Sequence, residues 1–286
     1  MLDLSPDPEL YPFASRWLES RVGRVHYVDE GEGRPILFLH GNPTWSFLYR
    51  NIVRGLRDRF RCVAIDYPGF GLSVRPPNYG YTPAEHAVVV RELILELELD
   101  DLIVMGQDWG GPIGLSAAVT EPDRVSGLIF GNTWFWPTDR LLVKLFGRAM
   151  ASPPLRWAIL HRNLFVERMI PWGTTSDLDR RVMDHYRAAQ PSPEARLGVA
   201  EFPRQLVAAG PWLSALAKSV PRILGDRPML LVWGMRDPAF SPDHFLPRWQ
   251  RSFADVRLVP LERAAHFIQE DAPERICEAI AERFGG

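Results

Sequence analysis

The sequence predicts an α/β fold, with a mostly parallel sheet covered on both faces and a helical cap inserted late in the chain. Three observations predict it. Short, wholly apolar runs such as Pro35–Leu39 and Leu102–Met105 lack the polar alternation of a half-exposed strand, so they read as strands buried on both faces. These runs alternate with stretches of helical periodicity at the spacing of strand–helix–strand units. After Asn132 the texture changes, and no convincing strand returns before Met229.

Taken in order, Arg21–Glu30 alternates polar and apolar residues and reads as a strand, with a turn at Gly31–Gly33. Pro35–Leu39 follows as a buried strand, then an amphipathic helix through about Leu56. Val63–Ile65 is a third strand and runs into the glycine-rich loop Asp66–Ser73. Thr82–Leu99 has helical spacing, and Thr82, Pro83 and Glu85 form a good helix start. Leu102–Met105, the helix Gly111–Val119 and the strand Val125–Phe130 complete the first half. Residues 133–216 hold several helical stretches, many prolines and five of the ten tryptophans: Trp134, Trp136, Trp157, Trp172 and Trp212. Most of these should be core, with a minority lining a cavity between cap and sheet. Met229–Trp233 and Val256–Val259 are the last strands, and Ile268–Phe284 is a closing helix. The expected division is a core of residues 1–132 and 217–286 and a cap of residues 133–216.

Composition narrows the class. The 286 residues suit one large α/β domain with an insertion, or two small ones. Hydrophobic content of 46 % and charged content of 24 % are ordinary for a soluble globular enzyme. A net charge of −2 gives no electrostatic case for nucleic acid or an anionic membrane. No segment reaches the roughly 20 apolar residues of a membrane span. The opening MLDLSPDPELYPF has neither the basic nor the apolar region of a secretory signal. Cys62 and Cys277 lie outside any metal or redox spacing, so two buried free thiols and a cytoplasmic location are expected.

The chemistry centres on Leu102–Gly114, LIVMGQDWGGPIG. A buried strand stops at Gly106, a helix opens near Gly110, and one acidic side chain, Asp108, stands between them. Asp after a strand is commonly only a helix cap. The pattern Gly-x-Asp-x-Gly, however, is that of a nucleophile elbow with aspartate where serine is commoner. Such a turn lifts the side chain above the sheet, beside a helix N-terminus that favours an anion. Later in the chain Asp237 follows the strand Met229–Trp233, and His266 follows Val256–Val259. Nucleophile, acid and histidine then stand in the chain order of an elbow enzyme, each at a strand's C-terminal end, where open sheets bind ligands. A lone histidine is usually structural, but of seven only His266 falls in this slot.

With these residues in place, the chain resembles the haloalkane dehalogenases of the α/β-hydrolase fold. The likeness runs from about Arg21 to the C-terminal helix. It is most specific in HGNPTWSFLYRNI (40–52), DYPGFGLS (66–73), GQDWGGPIG (106–114) and the acid and histidine loops. The resemblance implies a triad of Asp108, His266 and Asp237, with Asn42 and Trp109 holding the halide. Some members carry the acid as Glu after the strand that precedes the cap. Here that strand ends in Gly131-Asn132-Thr133, which leaves Asp237 as the acid.

The residue types suit that reaction. A carboxylate is ionised at neutral pH, with an unperturbed pKa of about 3.9. It can therefore displace a halide from saturated carbon without a base, giving an ester on Asp108. His266, oriented by Asp237, would then activate water against that ester. Backbone N–H groups of Asn42 and Trp109 would hold the oxyanion. The Asn42 amide and Trp109 indole N–H are donors fit for the departing halide. The expected partners are a small apolar halogenated substrate, water and halide, without nucleic acid, membrane, metal or organic cofactor. An epoxide hydrolase shares the Asp nucleophile but needs proton donors for its alkoxide, typically two cap tyrosines, and residues 133–216 contain only Tyr186. A non-catalytic binding protein on the same scaffold is the alternative of another class.

Overall fold

The computed structural model describes residues 5–285. The first four residues of the N-terminal stretch read above lie outside the described residues. A single eight-stranded sheet organises the chain in the order β1-β2-β4-β3-β5-β6-β7-β8. Its strands are β1 (Arg16–Ser20), β2 (Gly23–Glu30), β3 (Pro35–Leu39), β4 (Arg61–Ile65), β5 (Leu102–Asp108), β6 (Val125–Thr133), β7 (Met229–Gly234) and β8 (Val256–Leu261). β2 pairs antiparallel with both β1 and β4, and every other pairing is parallel. The helices are α1 (Arg50–Leu56), α2 (Pro83–Glu96), α3 (Gly110–Thr120), α4 (Leu141–Met150), α5 (Pro153–Arg162), α6 (Ile170–Trp172), α7 (Arg180–Ala188), α8 (Leu197–Ala208), α9 (Gly210–Leu224), α10 (Pro242–Ser252), α11 (Ile268–Asp271) and α12 (Pro273–Phe284).

The apolar runs are explained by burial on two faces. Along β5, Leu102 and Val104 enter one core cluster while Ile103 and Met105 enter the other. β3 divides in the same way, with Leu37 and Leu39 on one face and Ile36 and Phe38 on the other. Period-two geometry sends successive side chains to opposite faces, so a doubly covered strand must be apolar throughout. The start of α2 follows the sequence signal. Thr82 Oγ1 accepts the Glu85 N–H at 3.3 Å, and Glu85 Oε2 accepts the Thr82 N–H at 3.0 Å, a reciprocal cap.

Four expectations need correction. The edge strand β1 and the helix α10 were not expected: β1 is short and defined by its pairing with β2, and α10 carries Pro247 in its interior, a residue that reads as a helix break. The closing helix is two helices, because Pro273 lacks the N–H that would continue α11. Of the tryptophans of the helical block, Trp134 and Trp136 are buried and Trp212 packs against the core, so most are core as expected, but the remaining two, Trp157 and Trp172, are 52 % and 57 % exposed. Both cysteines are free, Cys62 buried and Cys277 partly so. Among the described residues no helix is long and apolar enough to cross a membrane.

Candidate active site

The site stands at the C-terminal ends of β3, β5, β6, β7 and β8. β5 is an inner strand of the sheet, and it ends in Asp108 at φ 51°, a left-handed conformation that non-glycine residues adopt rarely. The strained turn holds because its neighbours leave room. A Cβ on Gly110 would lie 1.9 Å from the Leu39 carbonyl oxygen, and one on Gly41 would lie 2.4 Å from the Asp108 Cβ. Trp109, not Asp108, occupies the cap position of α3, so the aspartate is free of the common capping task.

Asp108 keeps 13 % of its side chain exposed. The backbone N–H of Asn42 donates to Oδ1 at 2.9 Å, and the N–H of Trp109 also reaches the carboxylate. Oδ2 lies 3.7 Å from His266 Nε2, close enough for charge but too long for a direct hydrogen bond. Burial raises the Asp108 pKa above its ordinary value, and the nearby imidazole and two N–H groups only partly offset that.

His266 donates from Nδ1 to Asp237 Oδ2 at 2.8 Å. Asp237 is buried and its oxygens are fully occupied: Oδ1 accepts the N–H groups of Ala239 at 2.6 Å and Phe240 at 3.0 Å, and Oδ2 also accepts Asn132 Nδ2 at 2.7 Å. Burial would raise the Asp237 pKa, but His266 and these N–H groups outweigh it and hold the acid ionised. For His266, burial favours the neutral ring, yet Asp237 and then Asp108 outweigh it, so its pKa stands above the ordinary value. His40, also buried in this region, is pushed down to about 4 by burial and is a neutral structural ring.

The structure thus brings Asp108, His266 and Asp237 together, with both candidate oxyanion donors on the Asp108 carboxylate. The halide pair is placed less symmetrically. Asn42 Nδ2 donates to the Val199 carbonyl of α8 at 3.2 Å, which leaves its second N–H free of that bond. The Trp109 indole packs against Trp134 and Phe202, with ring centroids 4.7 and 5.2 Å away. Phe240 stacks on His266 at 5.3 Å. The surroundings of Asp108 are therefore largely aromatic, an environment that strengthens any ionic contact made within it.

Two further residues have roles that the sequence reading did not assign. Gln107 Nε2 donates to His266 Nε2 at 3.0 Å and to the His266 carbonyl at 3.1 Å, and so favours the ring form whose Nε2 carries a lone pair. Asn132, noticed only because it is not a carboxylate, braces the Asp237 turn. Besides its bond to Asp237 it accepts the Gly234 N–H at 2.8 Å. The available signal was a polar residue at the end of an apolar strand, which burial requires to be partnered. Among the described residues no group of three or more His, Cys, Asp or Glu side chains is placed to hold a metal ion.

Comparison with known proteins agrees with the fold. Residues 34–273 match the alpha/beta hydrolase fold family. The chain is 59 % identical to haloalkane dehalogenase 2 of Mycobacterium tuberculosis over 99 % of both chains. It is 30 % identical to a cis-3-alkyl-4-alkyloxetan-2-one decarboxylase of Shewanella oneidensis, over 95 % of this chain and 88 % of that one. The crystal structure of the haloalkane dehalogenase DbeA of Bradyrhizobium elkani superposes with a TM-score of 0.86 at 27 % identity, covering 94 % of this chain and 97 % of that one.

Proposed function

We infer the function of this chain from its membership: it belongs to the haloalkane dehalogenases of the α/β-hydrolase fold family. It is a hydrolase of carbon–halogen bonds, converting a haloalkane and water into an alcohol, a halide ion and a proton.

The roles of individual residues are our proposal. Asp108 Oδ2 attacks the halogen-bearing carbon, the new C–O bond forms as the C–X bond breaks, and the halide leaves with the electron pair. The freed N–H of Asn42 and the indole N–H of Trp109 receive the anion as it leaves. His266 Nε2 then takes a proton from water while the water oxygen attacks the Asp108 carboxyl carbon. The charge that develops on Oδ1 falls on the Asn42 N–H already bonded there, with the Trp109 N–H, which also reaches the carboxylate, as the second donor. Collapse of that intermediate expels the alkoxide, which takes the proton back from His266, and the Asp108 carboxylic acid left behind gives its remaining proton to solvent to restore the carboxylate. Asp237 holds the ring with Nε2 outward and stabilises its charged form, and Gln107 and Asn132 position the ring and the acid.

The observation that carries this reading is the Asp108 carboxylate held by the Asn42 N–H, with the His266–Asp237 pair beside it. A second observation weighs against the epoxide alternative. Tyr186 is buried and its hydroxyl donates to Glu270, so it is not available to protonate an alkoxide above Asp108. We further take residues 133–216 as a cap over this site. In support, no strand lies between β6 and β7, although residue 216 falls within the continuous helix α9. Two free thiols fit a reducing compartment such as the cytoplasm.

The test is halide release from a panel of bromoalkanes, with styrene oxide run beside them, in wild type and His266→Phe. Wild type should turn over the bromoalkanes. His266→Phe should release a single equivalent of halide and retain an alkyl group on Asp108, seen by mass spectrometry. Unmodified protein after exposure to substrate would sink the two-step mechanism.

A further inference from the structure

The net charge of −2 conceals an uneven distribution. Residues 140–162, which span α4 and α5, carry Arg140, Lys144, Arg148, Arg156 and Arg162 and no Asp or Glu. That segment is +5, so the rest of the chain is −7. The same segment exposes large apolar side chains. On α4, Leu141 and Leu142 are 66 % and 71 % exposed, and Leu145 and Phe146 are 48 % and 39 % exposed. At about 100° per residue these four share one face, with Lys144 and Arg148 along its border. The opposite side of α4 is seated on α8: a Cβ on Gly147 would lie 2.8 Å from the Pro203 carbonyl oxygen. The half-exposed Trp157 lies on α5, with His161 stacked on its ring at 5.1 Å.

The nearby acids lie outside this segment, and Glu201 and Glu194 have partners of their own. Glu201 of α8 binds Arg204 and Gln205, and Asp139 lies 3.6 Å from His244. Glu194 bonds Ser192 and faces His161 and Arg196. A bulky apolar face bordered by cations and lacking acids is the pattern of a helix that lies in a lipid interface, and tryptophan favours that depth. A second copy of the chain fits the face less well, because pairing α4 with α4 would bring two sets of like charges together.

We propose that the α4–α5 hairpin docks the protein on the surface of an anionic lipid bilayer. Leu141, Leu142, Leu145 and Phe146 enter the boundary between headgroups and acyl chains, while Lys144 and Arg148 meet the lipid phosphates. The summed charge, which argued against a membrane partner, misses this because the cations are concentrated on one hairpin. Apolar haloalkanes partition into bilayers, so docking would place the enzyme where substrate collects. That last benefit rests on the function proposed above, but the docking itself does not.

The test is sedimentation of the full chain with vesicles of phosphatidylcholine mixed with phosphatidylglycerol, and with vesicles of phosphatidylcholine alone. Wild type should pellet with the anionic vesicles at low salt and be released as salt rises. Lys144→Gln with Arg148→Gln should weaken partition about 30-fold. Leu142→Ser with Phe146→Ser should abolish pelleting while leaving haloalkane turnover in lipid-free buffer unchanged. The proposal fails if wild type does not pellet with anionic vesicles, or if both double variants pellet as wild type does. It fails equally if sedimentation velocity shows a wild-type dimer that Leu142→Ser with Phe146→Ser dissociates, with no binding to lipid.

Discussion

Replacing Asp237 by Asn separates the two chemical steps, because the four hydrogen bonds to its carboxylate need two acceptor oxygens. Oδ1 receives Ala239 and Phe240, and Oδ2 receives His266 and Asn132. An amide has one oxygen. If that oxygen stays with Ala239 and Phe240, the new NH₂ confronts the Asn132 N–H and drives His266 to the tautomer protonated at Nε2. That ring cannot take a proton from water. Restoring the active tautomer leaves a buried donor unmatched, at about 1–3 kcal/mol, and removes a charge-assisted bond to the imidazolium worth about 1.5–3 kcal/mol. Together roughly 2.5–6 kcal/mol corresponds to a loss of about 70- to 25,000-fold in ester hydrolysis. Attack by Asp108 makes no use of the tautomer and should be little changed. Rapid-quench measurement of bromide should therefore show a burst of one equivalent followed by slow release, with an alkylated protein in the mass spectrum. Steady turnover near the wild-type rate, without burst or adduct, would refute the assignment of Asp237 as the acid.

Other consequences can be measured independently. His266 must be neutral to act, and its pKa in the free enzyme is raised partly by the Asp108 charge, which alkylation removes. The acid limb of single-turnover ester hydrolysis should therefore fall at lower pH than the His266 titration seen by NMR in the free enzyme, and the reverse order would contradict the coupling. Asn42→Ala and Trp109→Phe should each slow alkylation about ten- to hundredfold, on the order of 1.5–3 kcal/mol for a lost charge-assisted bond, and more with chloride than bromide leaving. Normal rates for both would dismiss the halide site. Arg50 pairs with Glu270 through two bonds of 2.6 and 2.7 Å, both side chains being buried. Arg50→Met should cost roughly 3–5 kcal/mol by stranding the carboxylate, and thermal melting should reveal a fall on the order of 10 °C.

The sequence by itself determined the doubly covered sheet and the place of its elbow. Both depend on short-range features: apolar runs of strand length, a reciprocal cap at Thr82 and Glu85, and glycines on either side of Asp108. The order of Asp108, Asp237 and His266 along the chain was equally legible, since each closes or follows a recognisable strand. Tertiary structure alone decided the partners. Gln107 meets His266 across 159 residues of sequence, and Asn132 meets Asp237 across 105. Neither pairing leaves a local pattern, because a hydrogen bond depends on position in space and not on spacing along the chain. The same limit hid β1, which exists through its pairing with β2, and the exposure of Trp157 and Trp172. An apolar residue in a helical pattern has a face, but only packing decides whether that face is covered.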